Sequence, residues 1–344
     1  MFPRLLLLAV LVATADAEPA PFSIQAQPGW VIFDAKKGGA YHYGPSLIIN
    51  PDGAIDAWFA SPGGRGADGK NQWDWIRYRH SPDGGRTWTP DKVILKPTEG
   101  SRDRQSVCDP GVIKMGPWYY LGVTAVEDPK GNDAEVFIAR APAPDGPFEK
   151  WAGAGWGGSP QPILPFRTPT DVWGLGEPSM VVKDQTLYIY YTRTDRDGKG
   201  NPRTCTMVAT APAADPDWPA HVKPIGEAFG REQGEDSTDV KFDDAYGLFI
   251  GVSTAMRLTP GSYLNYRWSK DGIHFSGPAR FAGPIKPLAH NMGISGTPEG
   301  HIDHAEKNFI AYAYSTGERP GVSWAYWSTY LNPVRFQAAG AATR

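Results

Sequence analysis

Three carboxylates stand at matched places in this chain. Asp109 lies in Cys108-Asp109-Pro110-Gly111-Val112-Ile113, Glu177 in Gly176-Glu177-Pro178-Ser179-Met180-Val181, and Asp239 in Ser237-Thr238-Asp239-Val240-Lys241-Phe242. Each opens a short apolar run of strand character. A polar turn follows, then a second run rich in Tyr, Trp and Phe. Carboxyl groups brought together do acid–base chemistry. Crowding keeps at least one protonated near neutral pH, as a general acid requires, while a neighbour stays ionised. Two carboxyls on opposite sides of a bond are the equipment of glycoside hydrolysis, one protonating the leaving oxygen and one activating water. The same groups could instead cap strand starts or fill an axial channel with hydrogen bonds.

Other residues could serve such a site. His42 and Tyr43 precede a fourth opening, Gly44-Pro45-Ser46-Leu47-Ile48-Ile49, and His290 begins a fifth, His290-Asn291-Met292-Gly293-Ile294-Ser295. A histidine there can give a proton, or simply be buried and satisfied. Trp73-Asp74-Trp75 and Trp173 offer aromatic faces that could stack on a sugar, with Asp74 or Arg104 holding hydroxyls; packing between sheets is the competing use of the tryptophans. Arg102, Arg104, Arg193 and Arg257 could take a carboxylate or sulfate. Asp171 is a reserve carboxylate. His301 and His304 stand three apart, but no third ligand follows at a spacing that suggests zinc, and no metal site is assigned.

Elements that bring such distant residues together must repeat. The five openings recur at roughly 50–70 residues, too long for one hairpin and suited to a four-stranded blade. The expected fold is all-β, a five-bladed β-propeller of four-stranded antiparallel blades, as one domain over residues 18–344. Strand readings include Ile55-Asp56-Ala57-Trp58-Phe59, Thr186 to Thr192, Gly247 to Ser253 and Ser323-Trp324-Ala325-Tyr326-Trp327, with Trp30-Val31-Ile32-Phe33 closing the ring. In a propeller the first strand of each blade lies nearest the axis, so residues at its start converge on one funnel. Forty Gly and 33 Pro mark turns, and 12% aromatics exclude a disordered chain. A net charge of −3 gives no footing for nucleic acid or an anionic membrane.

Arg4, the apolar run Leu5 to Val12 and Ala15-Asp16-Ala17 read as a signal peptide over residues 1–17, with the mature chain starting at Glu18. A secreted or periplasmic monomer, with no membrane insertion after signal removal, is expected. Cys108 and Cys205 are expected to be free buried thiols rather than a disulfide.

Ser81-Pro82-Asp83-Gly84-Gly85-Arg86-Thr87-Trp88 resembles the Asp-box of sialidases and other propellers, and Ser269 to Phe275 is a degraded copy. The motif makes a peripheral turn, with Asp83 bonding nearby N–H groups and glycine taking positive φ. Asp109-Pro110 with Tyr119-Tyr120-Leu121 and Thr124, and Glu177-Pro178-Ser179-Met180 with Leu187 to Tyr191, resemble the second- and third-blade signatures of five-bladed glycoside hydrolases. That group includes the arabinanases, β-xylosidases and invertase-type enzymes (family 43-like). The resemblance implies Glu177 as general acid and Asp109 as the residue that tunes pKa and orients substrate. The catalytic Asp of the first blade is missing, because Gly44 stands in its place; Asp239 is then the substitute base. Related propellers often hold an axial cation, which implies Ca2+ as the one cofactor to test for. The expected function is secreted hydrolysis of a plant or algal poly- or oligosaccharide. A non-catalytic carbohydrate-binding propeller, a sialidase-like enzyme and a polysaccharide lyase are the alternatives.

Overall fold

The computed structural model describes residues 20–38, 41–66, 68–166, 171–231, 234–316 and 326–339. The described chain begins with β1 (Phe22–Ala26), β2 (Trp30–Phe33) and a single helical turn, α1 (Ala35–Gly38). Blade one follows as β3 (Tyr43–Ile49), β4 (Ile55–Pro62), β5 (Asp74–Ser81) and β6 (Lys92–Leu95). Blade two is β7 (Ser106–Met115), β8 (Trp118–Val126), β9 (Glu135–Ala141) and β10 (Glu149–Lys150). Blade three is β11 (Gly174–Lys183), β12 (Thr186–Arg196), β13 (Pro202–Pro212) and β14 (Lys223–Gly230). Blade four is β15 (Thr238–Asp243), β16 (Leu248–Ala255), β17 (Tyr263–Ser269) and β18 (Ala279–Arg280). Blade five opens with β19 (Ala289–Ile294); the short β20 (His301–Ile302) turns back to pair in parallel with β15, and β21 (Asn308–Ser315) and β22 (Trp327–Ala338) continue the blade.

Five sheets, each with four antiparallel main strands, thus form a five-bladed propeller; two of them carry one extra short strand, β2 on β22 and the parallel β20 on β15. All five openings seen in the sequence are innermost strands. The blade that closes the ring differs from expectation. Its outer strand is β1, which pairs with β22 from Phe22↔Ala338 to Ala26↔Val334; β2 pairs with the earlier part of the same long strand. Two separate segments are needed because β22 is 12 residues long. Of the strand expected at 323–327, residues 323–325 lie outside the described residues and Trp327 begins β22. Closure by an N-terminal strand leaves blade five with no outer edge from the C-terminal chain alone.

The inner strands β3, β15 and β19 are almost wholly buried because each is covered by blades on both faces. Apolar side chains of neighbouring sheets meet there, such as Trp58, Val112 and Leu121 between blades one and two. Packing at the axis is tight enough to require glycine. A Cβ at Gly111 would stand 2.0 Å from the Pro178 carbonyl oxygen, and one at Gly293 2.0 Å from that of Pro45.

The Ser81–Trp88 turn joins β5 to β6, at the outside of blade one. Asp83 Oδ1 accepts from the backbone N–H of Arg86 (3.1 Å) and Thr87 (2.8 Å), and Gly85 N–H donates to Ser81 Oγ (2.7 Å). Asp271 repeats the scheme, accepting from Ile273 and His274 N–H, both at 2.8 Å. Cys108 and Cys205 are free and buried. Among the described residues no helix is long and apolar enough to cross a membrane.

Candidate active site

Four of the five inner strands carry the same irregularity. The ladder skips between Tyr43 and Ser46, Cys108 and Gly111, Gly176 and Ser179, and His290 and Met292. At each skip one residue takes a left-handed backbone: Gly44 (φ 57°), Asp109 (49°), Glu177 (51°) and Asn291 (33°). Three of the four are followed by proline, which has no N–H to give the ladder and so suits a bulge. A bulge re-aims its side chain out of the alternating pattern. Asp109, Glu177 and Asn291 are thereby turned into one cavity of 1180 Å³ at the end of the propeller axis.

Inside it, Asn291 Nδ2 donates to Asp109 Oδ1 at 3.4 Å and to Glu177 Oε1 at 3.5 Å. Thr124 ties the same pair from behind. Its hydroxyl donates to Asp109 Oδ2 (2.9 Å) and accepts the backbone N–H of Glu177 (2.7 Å). Glu177 Oε2 also accepts from Arg231 Nη1 at 3.2 Å and from the Thr192 hydroxyl. Arg231 is itself buried. Among the described residues no ion pair involves Asp109; the Cys108 thiol lies 3.3 Å from its Oδ2. Burial, and then the charge of Glu177, push the Asp109 carboxyl well above the usual carboxylate range.

A second cluster faces the first. His290 Nδ1 is 2.5 Å from Asp236 Oδ2, and Arg257 Nη1 is 2.6 Å from Asp236 Oδ1. The Asn291 N–H donates to the same carboxylate at 3.1 Å. Burial alone would raise Asp236, but His290 and Arg257 outweigh it and hold the group well below its ordinary value. Beside it, Glu235 is closed off by Arg267 Nη1 (2.8 Å) and Asn265 Nδ2 (2.7 Å).

The third group belongs to blade one. Asp74, at the start of β5, accepts from the Tyr41 hydroxyl (2.5 Å) at Oδ1 and from Ser106 Oγ (3.0 Å) at Oδ2. Burial raises its carboxyl to about 6. Tyr41, Tyr43, Trp73 and Trp173 also line the cavity, with Trp73 exposed at the rim.

Of the residues singled out in the sequence, Asp109, Glu177, His290, Tyr43, Trp73, Asp74, Trp173 and Arg257 line this one cavity. Asp239 does not. β15 has no bulge: Asp239 stays in the regular ladder opposite Val252, and its side chain faces a separate void of 30 Å³ further along the axis. There it accepts from Ser179 Oγ (2.6 Å), Lys241 Nζ (2.6 Å) and the Ile294 N–H (2.8 Å), a tie between blades three and five. Blade four reaches the cavity with Asp236 instead, ahead of its strand. His42 is also elsewhere. It is buried against Phe33, with ring centroids 3.7 Å apart, and its Nε2 is 3.0 Å from Asp91. Arg104 pairs with Glu127 and Asp171 with Arg196, both away from the cavity. Arg102 pairs with Glu135 and Arg193 with Asp195. His301 and His304 bind separate carboxylates, Asp244 and Asp243.

Sequence reasoning missed Asn291, Asp236, Arg231, Thr124 as a link, and Tyr41. Asn291 had a signal, since it occupies the opening position held by Asp109 and Glu177. Arg231 had none. An axial calcium does not fit these residues. The cavity's carboxylates are already engaged by hydroxyl, amide, imidazole and guanidinium donors, and a cation would meet Arg231 and Arg257. Among the described residues no group of three or more His, Cys, Asp or Glu side chains could hold a metal ion.

No protein-family profile and no curated protein matches the sequence. Solved structures do. A family 117 glycoside hydrolase produced by the marine bacterium Zobellia galactanivorans is similar over 91% of this chain and 90% of its own, with TM-score 0.60 and 16% identity. A thermostable family-43 glycoside hydrolase is similar over 88% and 93%, with TM-score 0.63 and 14% identity. An α-L-arabinofuranosidase from Podospora anserina, solved in complex with cellotriose, is similar over 92% and 97%, with TM-score 0.61 and 11% identity. At these identities the likeness is one of fold, a five-bladed propeller that these glycoside hydrolases share.

Proposed function

We propose that this chain is an exported glycoside hydrolase acting on a plant or algal poly- or oligosaccharide. The observation that carries the reading is the Asp109–Glu177 pair: two buried carboxyls bridged by one amide at the base of an open cavity. Such a pair cannot hold two charges, so it keeps one proton at neutral pH. Burial and the neighbouring Glu177 raise the Asp109 carboxyl, and Arg231 sits beside Glu177 rather than Asp109, so the proton rests on Asp109. The resemblance puts the donor at Glu177; the surroundings favour Asp109 as the resting place of the proton. Either way the pair acts as the general acid. It gives its proton to the glycosidic oxygen as the bond to the anomeric carbon breaks. Arg231 stabilises the charge left behind. Trp73 and Trp173 supply apolar faces for the sugar rings.

One observation favours a second reading. Gly44 leaves the first blade's opening without a carboxylate, as in a carbohydrate-binding propeller that does not cleave. Incubating the protein that begins at Glu18 with plant and algal oligosaccharides, followed by mass detection, separates the readings. A hydrolase adds 18 Da of water (about one H2O per cleavage). A lyase leaves an unsaturated end, and a binding module returns the glycan intact. Intact glycans across the panel would end the hydrolase reading.

A further inference from the structure

Hydrolysis needs a second carboxylate, on the far side of the scissile bond from the acid. Asp109 and Glu177 cannot divide that work, because Asn291 and Thr124 hold them together as one unit. Position 44 cannot supply it either. Its backbone is left-handed, and a Cβ there would stand 3.2 Å from both Cα and Oδ1 of Asp109, so the acid pair fills the space a side chain would need. Three other carboxylates line the cavity among the described residues. Glu235 is bound on both oxygens by Arg267, and by Asn265 as well. Asp236 is committed to His290, Arg257 and the Asn291 N–H. Asp74 differs: it is held by the neutral hydroxyls of Tyr41, Ser106 and Tyr43, and among the described residues no ion pair involves it.

We propose that Asp74 is the base that activates the attacking water, so that blade one delivers its catalytic carboxylate from the start of β5 rather than from its inner strand. The inference rests on the hydrolase reading above. A carboxylate has about four lone-pair directions, and three hydroxyl donors leave one for water. In the step, the water oxygen bonds to the anomeric carbon and its proton passes to Asp74. The bond from that carbon to the leaving oxygen breaks, and the oxygen keeps the electron pair and takes the proton of the Asp109–Glu177 pair. One water is added and no other co-reactant is needed. Among the described residues the ionisable groups that act on Asp74 are Tyr41, Tyr43, Cys108 and Asp109, none of them a cation. Burial puts the Asp74 carboxyl at about 6, near the range where a base works best at neutral pH.

The test uses the oligosaccharide that the wild type cleaves. Asp74→Asn keeps the shape, and the hydroxyl at its NH2 end can turn to accept; it should lower kcat at least about a hundredfold, with melting temperature close to wild type. Wild-type kcat/KM should show an acidic limb near pH 6, and the residual kcat/KM of the variant should lack it. Asp74→Gly with sodium azide should recover turnover and release a glycosyl azide, since azide attacks without a base. A folded Asp74→Asn with wild-type kcat and an unchanged acidic limb overturns the assignment of Asp74 alone. So does a loss of rate that azide leaves unrelieved. A wild type that cleaves no glycan removes the hydrolase reading itself, and the base with it.

Discussion

Asp109 and Glu177 occupy the same bulge in neighbouring blades, with φ of 49° and 51°, and the Thr124 hydroxyl bonds to both. Two acidic residues in a left-handed backbone are costly, at about 1–3 kcal/mol each where the conformation is strained. They persist because the bulge turns both side chains to one side of the ring. The pair is therefore a product of backbone geometry repeated by the propeller, and its chemistry follows from how its two members differ. Glu177 is ion-paired to Arg231, and among the described residues no ion pair involves Asp109.

Asp109→Asn and Glu177→Gln should each lower cleavage at least about a hundredfold, and each should recover on a substrate whose leaving group needs no protonation. The two should separate in stability. The folded-state pKa of Asp109 is raised, so folding holds a proton that the unfolded chain releases above about pH 4. Wild-type stability falls as pH rises through that window. Asparagine carries no such penalty and accepts a left-handed backbone. Asp109→Asn should thus melt above wild type at pH 8, by a wider margin than at pH 4. Thermal unfolding at both pH values checks it; a margin that shrinks with pH contradicts the assignment.

Restoring an acid at the first blade's opening should fail. Gly44→Asp needs φ of 57° and sets a Cβ 3.2 Å from Asp109. A loss of about 1–3 kcal/mol in urea unfolding is expected, with no gain in turnover. A variant as stable as wild type and faster would mean that the cavity has room that the structure does not show.

Asp236 is the hinge of the second cluster. Asp236→Asn leaves His290 and Arg257 without their shared counter-charge, and the expected loss is about 3 kcal/mol at pH 7. The folded-state pKa of Asp236 is depressed, so its contribution is present above about pH 4 and disappears as pH falls below it. The gap between variant and wild type in denaturant titrations should narrow from pH 7 to pH 3.

The Ser81–Trp88 turn should matter to folding and not to turnover. Asp83 has a folded-state pKa of about 2, held down by the Thr87 and Arg86 hydrogen bonds. Asp83→Ala should lower the melting temperature at pH 7. The difference should fade between about pH 4 and pH 2, where wild-type Asp83 becomes protonated. Turnover per folded molecule should stay within about twofold, because no residue of the turn lines the cavity. A selective fall in kcat with unchanged melting would place the turn in the active site after all.

By itself the sequence determined the propeller. Alternating β-branched and aromatic runs, spaced turns and five similar openings are local signals, and a closed ring of blades satisfies all of them. It also marked Asp109, Glu177 and His290, because position in a repeat is visible in one dimension. What it did not determine was which way each opening's side chain points. That depends on a bulge, and a bulge is a relation between two strands. Asp109 and Asp239 look equivalent in the chain, yet one ladder skips and the other does not, so one faces the cavity and the other joins blades three and five. Asp74, Asp236 and Arg231 enter the site from outside the openings, and only the closed ring brings them there. The same holds for β1, whose partner lies more than 300 residues away at Phe336, a contact that exists only when the last blade meets the first strand of the chain.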